Sequence, residues 1–397
     1  MTRANNMADL NALHELLDRF AAGTLETDKS KLEDLQGRQL YLYGAGNVGK
    51  RLFHNLRANG ITVAGFIDRN PAVALPGVDA PIHLPDDPAL ATVRDNCTVI
   101  LSGLFPLKIC SDIKAKLSVL GFRHVHALHE VNFNQVNGGA FRETLFDDSY
   151  NKIDILGNDR YKLEHAFSLL SGDSDRRLFL RYLKAHLTMD FTRLDEPLDI
   201  SLQYLAHDIS ETRDYSRFVD CGGYDGDTFR GLTAQGCHIR SLAVFEPQTD
   251  MYRKYAATVK EHPARPEQAF LFPCGVYAET TQLRFATNGD AQSAARVSAG
   301  GDSMIQCVRL DEALLGFAPT FIKMDIEGAE TAALKGAQGL IETYGPSLAI
   351  CVYHGLSDLW EIPWLISSMR SDYRYYLRNY NYLGLETVLY AFRNPTA

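Results

Sequence analysis

None of the seven cysteines, at positions 97, 110, 221, 237, 274, 307 and 351, belongs to a C-x-x-C pair. An odd count at wide spacing argues against a disulfide framework, and the missing pairs argue against a zinc site. The expectation is a reducing compartment, the cytoplasm. Basic clusters are missing too: 40 Lys and Arg stand against 49 Asp and Glu, for a net charge of −9. That balance disfavours a nucleic-acid partner or an anionic membrane surface. No apolar run approaches the ~18 residues of a membrane span. The opening stretch MTRANNMADLNALHELLDRF is polar, then amphipathic, without the apolar core of a signal peptide. Low-complexity tracts are absent. What is present is 397 residues, 46% hydrophobic and 22% charged, a globular composition too long for one ordinary core.

The chain organises into two α/β patterns joined by a helical one. Residues 1–35 carry helical spacing and are expected to cap the first domain. Residues 36–140 begin with RQLYLYGAGNVGKRLFHNLRANGITVAGFIDRNP (38–71), a strand, glycine turn, helix and strand; CTVILSG and FRHVHAL continue the alternation. Residues 141–215 lack strand alternation and read as a helical connector. From 216 to 397 the alternation resumes, with strands expected at 217–221, 242–246, 269–274, 320–325 and 348–354. An inserted hairpin at 281–286 and 304–310 interrupts it. The ending, 372–380 and 386–393 around Gly384, is two strands without a helix between them, so the pair must be antiparallel. The fold class is therefore α/β, with two Rossmann-like domains and a terminal antiparallel hairpin.

Each α/β pattern has its own glycine loop. In the first, Gly44, Gly46 and Gly49 follow a strand and open a helix, and Asp68 closes the next strand. This is the arrangement that seats a dinucleotide phosphate, so a nucleotide, NAD or a nucleotide sugar is a candidate ligand; the bland alternative is close strand–helix packing. In the second, FVDCGGYDGDTF (218–229), Asp220 stands at the strand end before Gly222, Gly223 and Gly226. A pyrophosphate beside that carboxylate would meet like charge, whereas a cationic, phosphate-free nucleoside would meet attraction. S-adenosylmethionine (AdoMet) fits, and Glu246, ending the next strand, suits its ribose hydroxyls. The cofactor set is Asp220, Gly222, Gly223, Gly226, Glu246 and Gly275.

Residues 216–393 resemble the FkbM-type family of class I AdoMet-dependent methyltransferases. FVDCGGYDGDTF, VFEP (244–247), VRLDEAL (308–314), IKMDIEGAETAALKGA (322–337) and ETVLYA (386–391) carry the resemblance. It implies a seven-stranded mixed sheet with an antiparallel last strand, and activity chiefly as an O-methyltransferase. Where that family commonly has Gly-Ala-Asn, this chain has Gly222-Gly223-Tyr224, which removes a side-chain contact and keeps the backbone ones. HGLSDLWEIPWLI (354–366) resembles a carbohydrate-linked subset, and the N-terminal unit resembles nucleotide-binding domains of polysaccharide-biosynthesis proteins.

Methyl transfer to a hydroxyl gains from a base that takes its proton. His354 and Asp325, each ending a strand, are the catalytic candidates, with helix capping as their structural alternative. Asp325, Glu327 and Glu330 offer oxygen ligands for Mg²⁺, but acids opening a helix more often answer its dipole, so no metal is assigned. Arg296, in AQSAARVSAGG, is a candidate lid residue. Trp360 and Trp364 are read as core. The expected function is O-methylation of a small-molecule or glycan acceptor, without nucleic acid or membrane insertion. Two alternatives stay open: an NAD(P)-dependent nucleotide-sugar oxidoreductase, and a non-catalytic scaffold in glycan assembly.

Overall fold

The computed structural model describes residues 2–25, 30–31, 37–72, 77–103, 105, 107–132, 158–188, 191, 194–286, 296–297, 301 and 303–394. After helix α1 (Thr2–Ala21), strands β1 (Leu40–Tyr43), β2 (Val63–Ile67), β3 (Ile82–His83), β4 (Thr98–Leu101) and β5 (His124–Ala127) form a parallel sheet in the order β3-β2-β1-β4-β5. Helix α2 (Asn47–Ala58) follows the first glycine loop. Gly49 is needed there, because a Cβ would lie 2.1 Å from the Gly44 carbonyl oxygen.

Helices α3 (Asn158–Leu169) and α4 (Asp173–Thr188) lead to the second sheet. Its strands are β6 (Arg217–Cys221), β7 (Ser241–Phe245), β8 (Gln268–Phe272), β9 (Phe321–Met324), β10 (Ser347–Cys351), β11 (Tyr373–Asn379) and β12 (Thr387–Arg393), in the order β8-β7-β6-β9-β10-β12-β11. β12 runs antiparallel to both neighbours, and the other pairings are parallel. The central strands are mostly apolar, as strands covered on both faces tend to be; every residue of β7, β9 and β10 is buried, Lys323 included. The inserted hairpin, 281–286 with 303–308, is present and is joined by Gly275–Val276 and Arg296–Val297 in a small sheet. Among the described residues, no helix is long and apolar enough to cross a membrane. All seven cysteines are free.

Helix α1 corrects one expectation. It does not cap the first sheet: fully buried Leu13 and Leu17 join Leu163, Phe167, Tyr182 and Tyr375, in the core of the second. An amphipathic helix shows which face it buries but not against which domain. A chain lacking residues 1–25 should lose about 1.5–3 kcal/mol for each of these two leucines. Urea unfolding followed through Trp360 and Trp364, both carried by the helix Asp358–Met369, measures the loss. The first sheet in turn packs on Ala185, Phe191 and Leu383.

Candidate active site

Parallel sheets present their ligand sites at the carboxyl ends of the strands, beside the point where strand order reverses. Here that point lies between β6 and β9. A cavity of about 450 Å³ opens there, lined by Gly222, Tyr224, Glu246, Gly275, Asp325 and Glu327 among others.

At one end the glycine loop turns sharply out of β6. Gly222 has φ +79°, and a Cβ on it would sit 1.8 Å from the Asp325 carbonyl oxygen. The N–H groups of Gly222 and Gly223 both donate to the Phe245 carbonyl, at 2.9 and 3.2 Å. Gly226 is the N-cap of helix α5 (Asp227–Ala234). Glu246 is nearly sealed, and its two oxygens accept the N–H groups of Tyr224 (2.9 Å) and Gln248 (2.7 Å). Burial lifts its pKa to about 6 against the pull of those donors.

Asp220 departs from expectation. It is fully buried beneath the loop, paired with Lys323 Nζ at 3.1 Å and accepting the Tyr255 hydroxyl at 2.9 Å. Strand register causes this, since Lys323 of β9 lies directly opposite Asp220 of β6. Lys323 also donates to the Gly222 carbonyl at 2.6 Å. Asp220 is thus neutralised and tied to the loop, and attraction for a cationic ligand falls to the other carboxylates of the cavity.

The opposite end is acidic. Asp325, directly after β9, accepts the hydroxyls of Tyr204 (3.1 Å) and Tyr353 (3.2 Å). Burial opposes its ionisation, but Lys323, His354 and the tyrosine hydroxyls outweigh it and hold the pKa below the usual value. Glu386 accepts Gln203 Nε2 (2.8 Å) and lies 3.3 Å from the Tyr353 hydroxyl; burial and Asp325 raise its pKa. Glu327 is lifted to about 7, first by burial and further by Asp325 and Glu330, against the pull of His354. Tyr204, Tyr224, Glu327 and Glu386 all line the cavity with positive φ, 48° to 66°. Such backbone costs non-glycine residues about 1 kcal/mol or more each, and it gathers at functional sites.

His354 is the second correction. Its side chain is 8% exposed and does not line the cavity. Nδ1 lies 2.9 Å from Glu330, and Nε2 lies 3.5 and 3.6 Å from Asp325 and Glu327. Burial alone would lower its pKa, but the three carboxylates raise it to about 10. A ring that keeps its proton through neutral pH is not a general base there. Asp325, Glu330 and His354 bring one ligand atom each within 4.8 Å of one another. With His354 protonated, the group already holds its own countercharge.

In the first loop, Asp68 spends both oxygens on backbone, accepting the N–H groups of Ala45 (2.7 Å) and Asn70 (2.9 Å). Gly44 takes φ +110°, and Gly46 is the N-cap of α2. Trp360 is fully buried and donates to Asp159 at 3.3 Å, while Trp364 carries Lys162 over its ring at 5.0 Å, so both serve packing. The Arg296 backbone pairs with Ala286, and the loop residues 287–295 and 298–300 lie outside the described residues. Sequence reading missed Gln203 and Tyr204, which carry no motif, and also Tyr353. It placed Glu327 only among metal ligands, and Glu386 only within ETVLYA.

Residues 220–383 match the model of the methyltransferase FkbM domain. Methyltransferase FkbM from Methylobacillus flagellatus KT, a crystal structure, aligns over 98% of this chain and 100% of its own, with TM-score 0.66 and 19% identity. That likeness shows a common fold. No curated protein sequence gives a significant match. Residues 220–383 of this chain are thus similar to the methyltransferase FkbM domain.

Proposed function

We propose that the chain is an AdoMet-dependent O-methyltransferase acting on a hydroxyl of a small molecule or glycan, with Glu327 as the base. One observation carries the reading: a single cavity has two chemically different ends, the glycine loop with Glu246 at one and Asp325, Glu327 and Glu386 at the other. The first end suits a phosphate-free nucleoside. Each Glu246 oxygen keeps a second lone pair for a ribose hydroxyl after accepting its backbone N–H. The negative wall suits a sulfonium. When bound, the cofactor supplies an electrophilic methyl group. The chain's own groups do the rest. Lys323 and Asp220 fix the loop from beneath. Asp325, held by Tyr204 and Tyr353, orients the acceptor, and Glu327 takes the proton from its hydroxyl.

Calorimetry with AdoMet tests the cofactor end. Glu246→Ala should weaken binding by about 1.5–3 kcal/mol, the worth of hydrogen bonds to a charged group. Equal affinity in a folded variant would remove Glu246 from that end. The oxidoreductase reading places its nucleotide at Gly44–Gly49, where Asp68 is already tied to backbone. Calorimetry with NAD tests it. A chain that binds neither AdoMet nor its demethylated product, S-adenosylhomocysteine, would be a scaffold.

A further inference from the structure

We propose that the acidic end of the cavity is a subsite for a neutral, polyhydroxylated ring, and that Gln203 and Glu386 decide which acceptors enter. The proposal rests on the methyltransferase reading and names the acceptor class of that same site. The Tyr353 hydroxyl lies 3.2 Å from Asp325 and 3.3 Å from Glu386, and one phenolic proton cannot serve both carboxylates. Glu327 lies 3.6 Å from His354 Nε2, beyond hydrogen-bond distance. Three carboxylates therefore face the cavity with more lone pairs than donors, a deficit that ring hydroxyls fill.

The cations near this end are already committed, although Lys323 lines the cavity. Lys323 is 3% exposed and spent on Asp220 and the Gly222 carbonyl, and His354 is held by Glu330 behind the wall. A uronate carboxylate or a phosphate placed here would meet like charge with no cation to receive it. An ammonium would be attracted, but the same carboxylates would hold it protonated, without the lone pair that accepts a methyl group. A neutral hydroxyl escapes both penalties. Ile200, 52% exposed beside Gln203 on the cavity rim, offers apolar contact to the C–H face of a ring. Gln203 and Glu386 lie outside residues 220–383, so the family match does not describe the selectivity they set.

Saturation-transfer NMR on the full chain, saturated with S-adenosylhomocysteine, tests this with a methyl hexoside and a methyl hexuronide. The neutral hexoside should give transfer and the hexuronide none. Glu386→Gln should admit the hexuronide and weaken the hexoside several-fold. Gln203→Leu, which leaves the carboxylates in place, should weaken the hexoside without admitting the hexuronide. Equal transfer to hexuronide and hexoside in the unaltered protein overturns the proposal, and so does transfer to no glycoside while calorimetry shows S-adenosylhomocysteine bound. Failure of S-adenosylhomocysteine itself to bind overturns the methyltransferase reading beneath it.

Discussion

Glu327→Gln is expected to lower kcat by about 10²–10⁴-fold while leaving cofactor affinity within about twofold. A general base works best with a pKa near the working pH, and Glu327 sits at about 7 because burial and its carboxylate neighbours oppose its ionisation. The rate should therefore rise with pH through about 7 and level off, and the variant should lose that rise. Asp358 titrates at about the same pH but does not line the cavity, so Asp358→Asn should keep the profile. A full pH profile in Glu327→Gln would move the base elsewhere. Small equal losses at Glu327 and Asp325 would mean that positioning alone carries the transfer.

His354→Gln is expected to act on stability instead, costing about 3–5 kcal/mol, because it strips the countercharge from buried Glu330 and its acidic neighbours. The pH dependence follows from linkage. The folded pKa of His354, about 10, lies above its ordinary 6.5, so its contribution is complete below about pH 6.5 and is lost as pH rises through about 10. Thermal unfolding of the unaltered protein should fall between pH 7 and 10 more steeply than that of the variant. Unchanged stability together with a thousandfold loss of kcat would restore the histidine as base.

These two residues show where sequence reading reached and where it stopped. The strands were legible because their signal is local: short, mainly apolar runs mark β6, β7, β9 and β10 within a residue or two, apart from the C-terminal end of β10. The terminal hairpin was legible because the residues between 380 and 386 are too few for a crossover. Gly222 was legible because a left-handed turn leaves a mark on composition. His354 and Glu327 were both visible as titratable groups near strand ends, but only the fold shows that Glu327 lines the cavity and that His354 lies against Glu330 outside it.

By itself, then, the sequence determined the two sheets, the glycine loops, and the acids and histidine available to the site. The tertiary structure alone decided their charge states and partners. Strand order sets β9 beside β6, and so joins Lys323 to Asp220; the same order leaves Glu246 and Glu327 in one cavity. Residues 200–204 reach that cavity through contacts such as the Tyr204 N–H with the Tyr390 hydroxyl, which no local pattern encodes. Protonation follows burial and the charges within a few ångströms, and those neighbours come from distant parts of the chain. Spacing along the sequence fixes which side chains share a face, and only folding fixes which charges they meet.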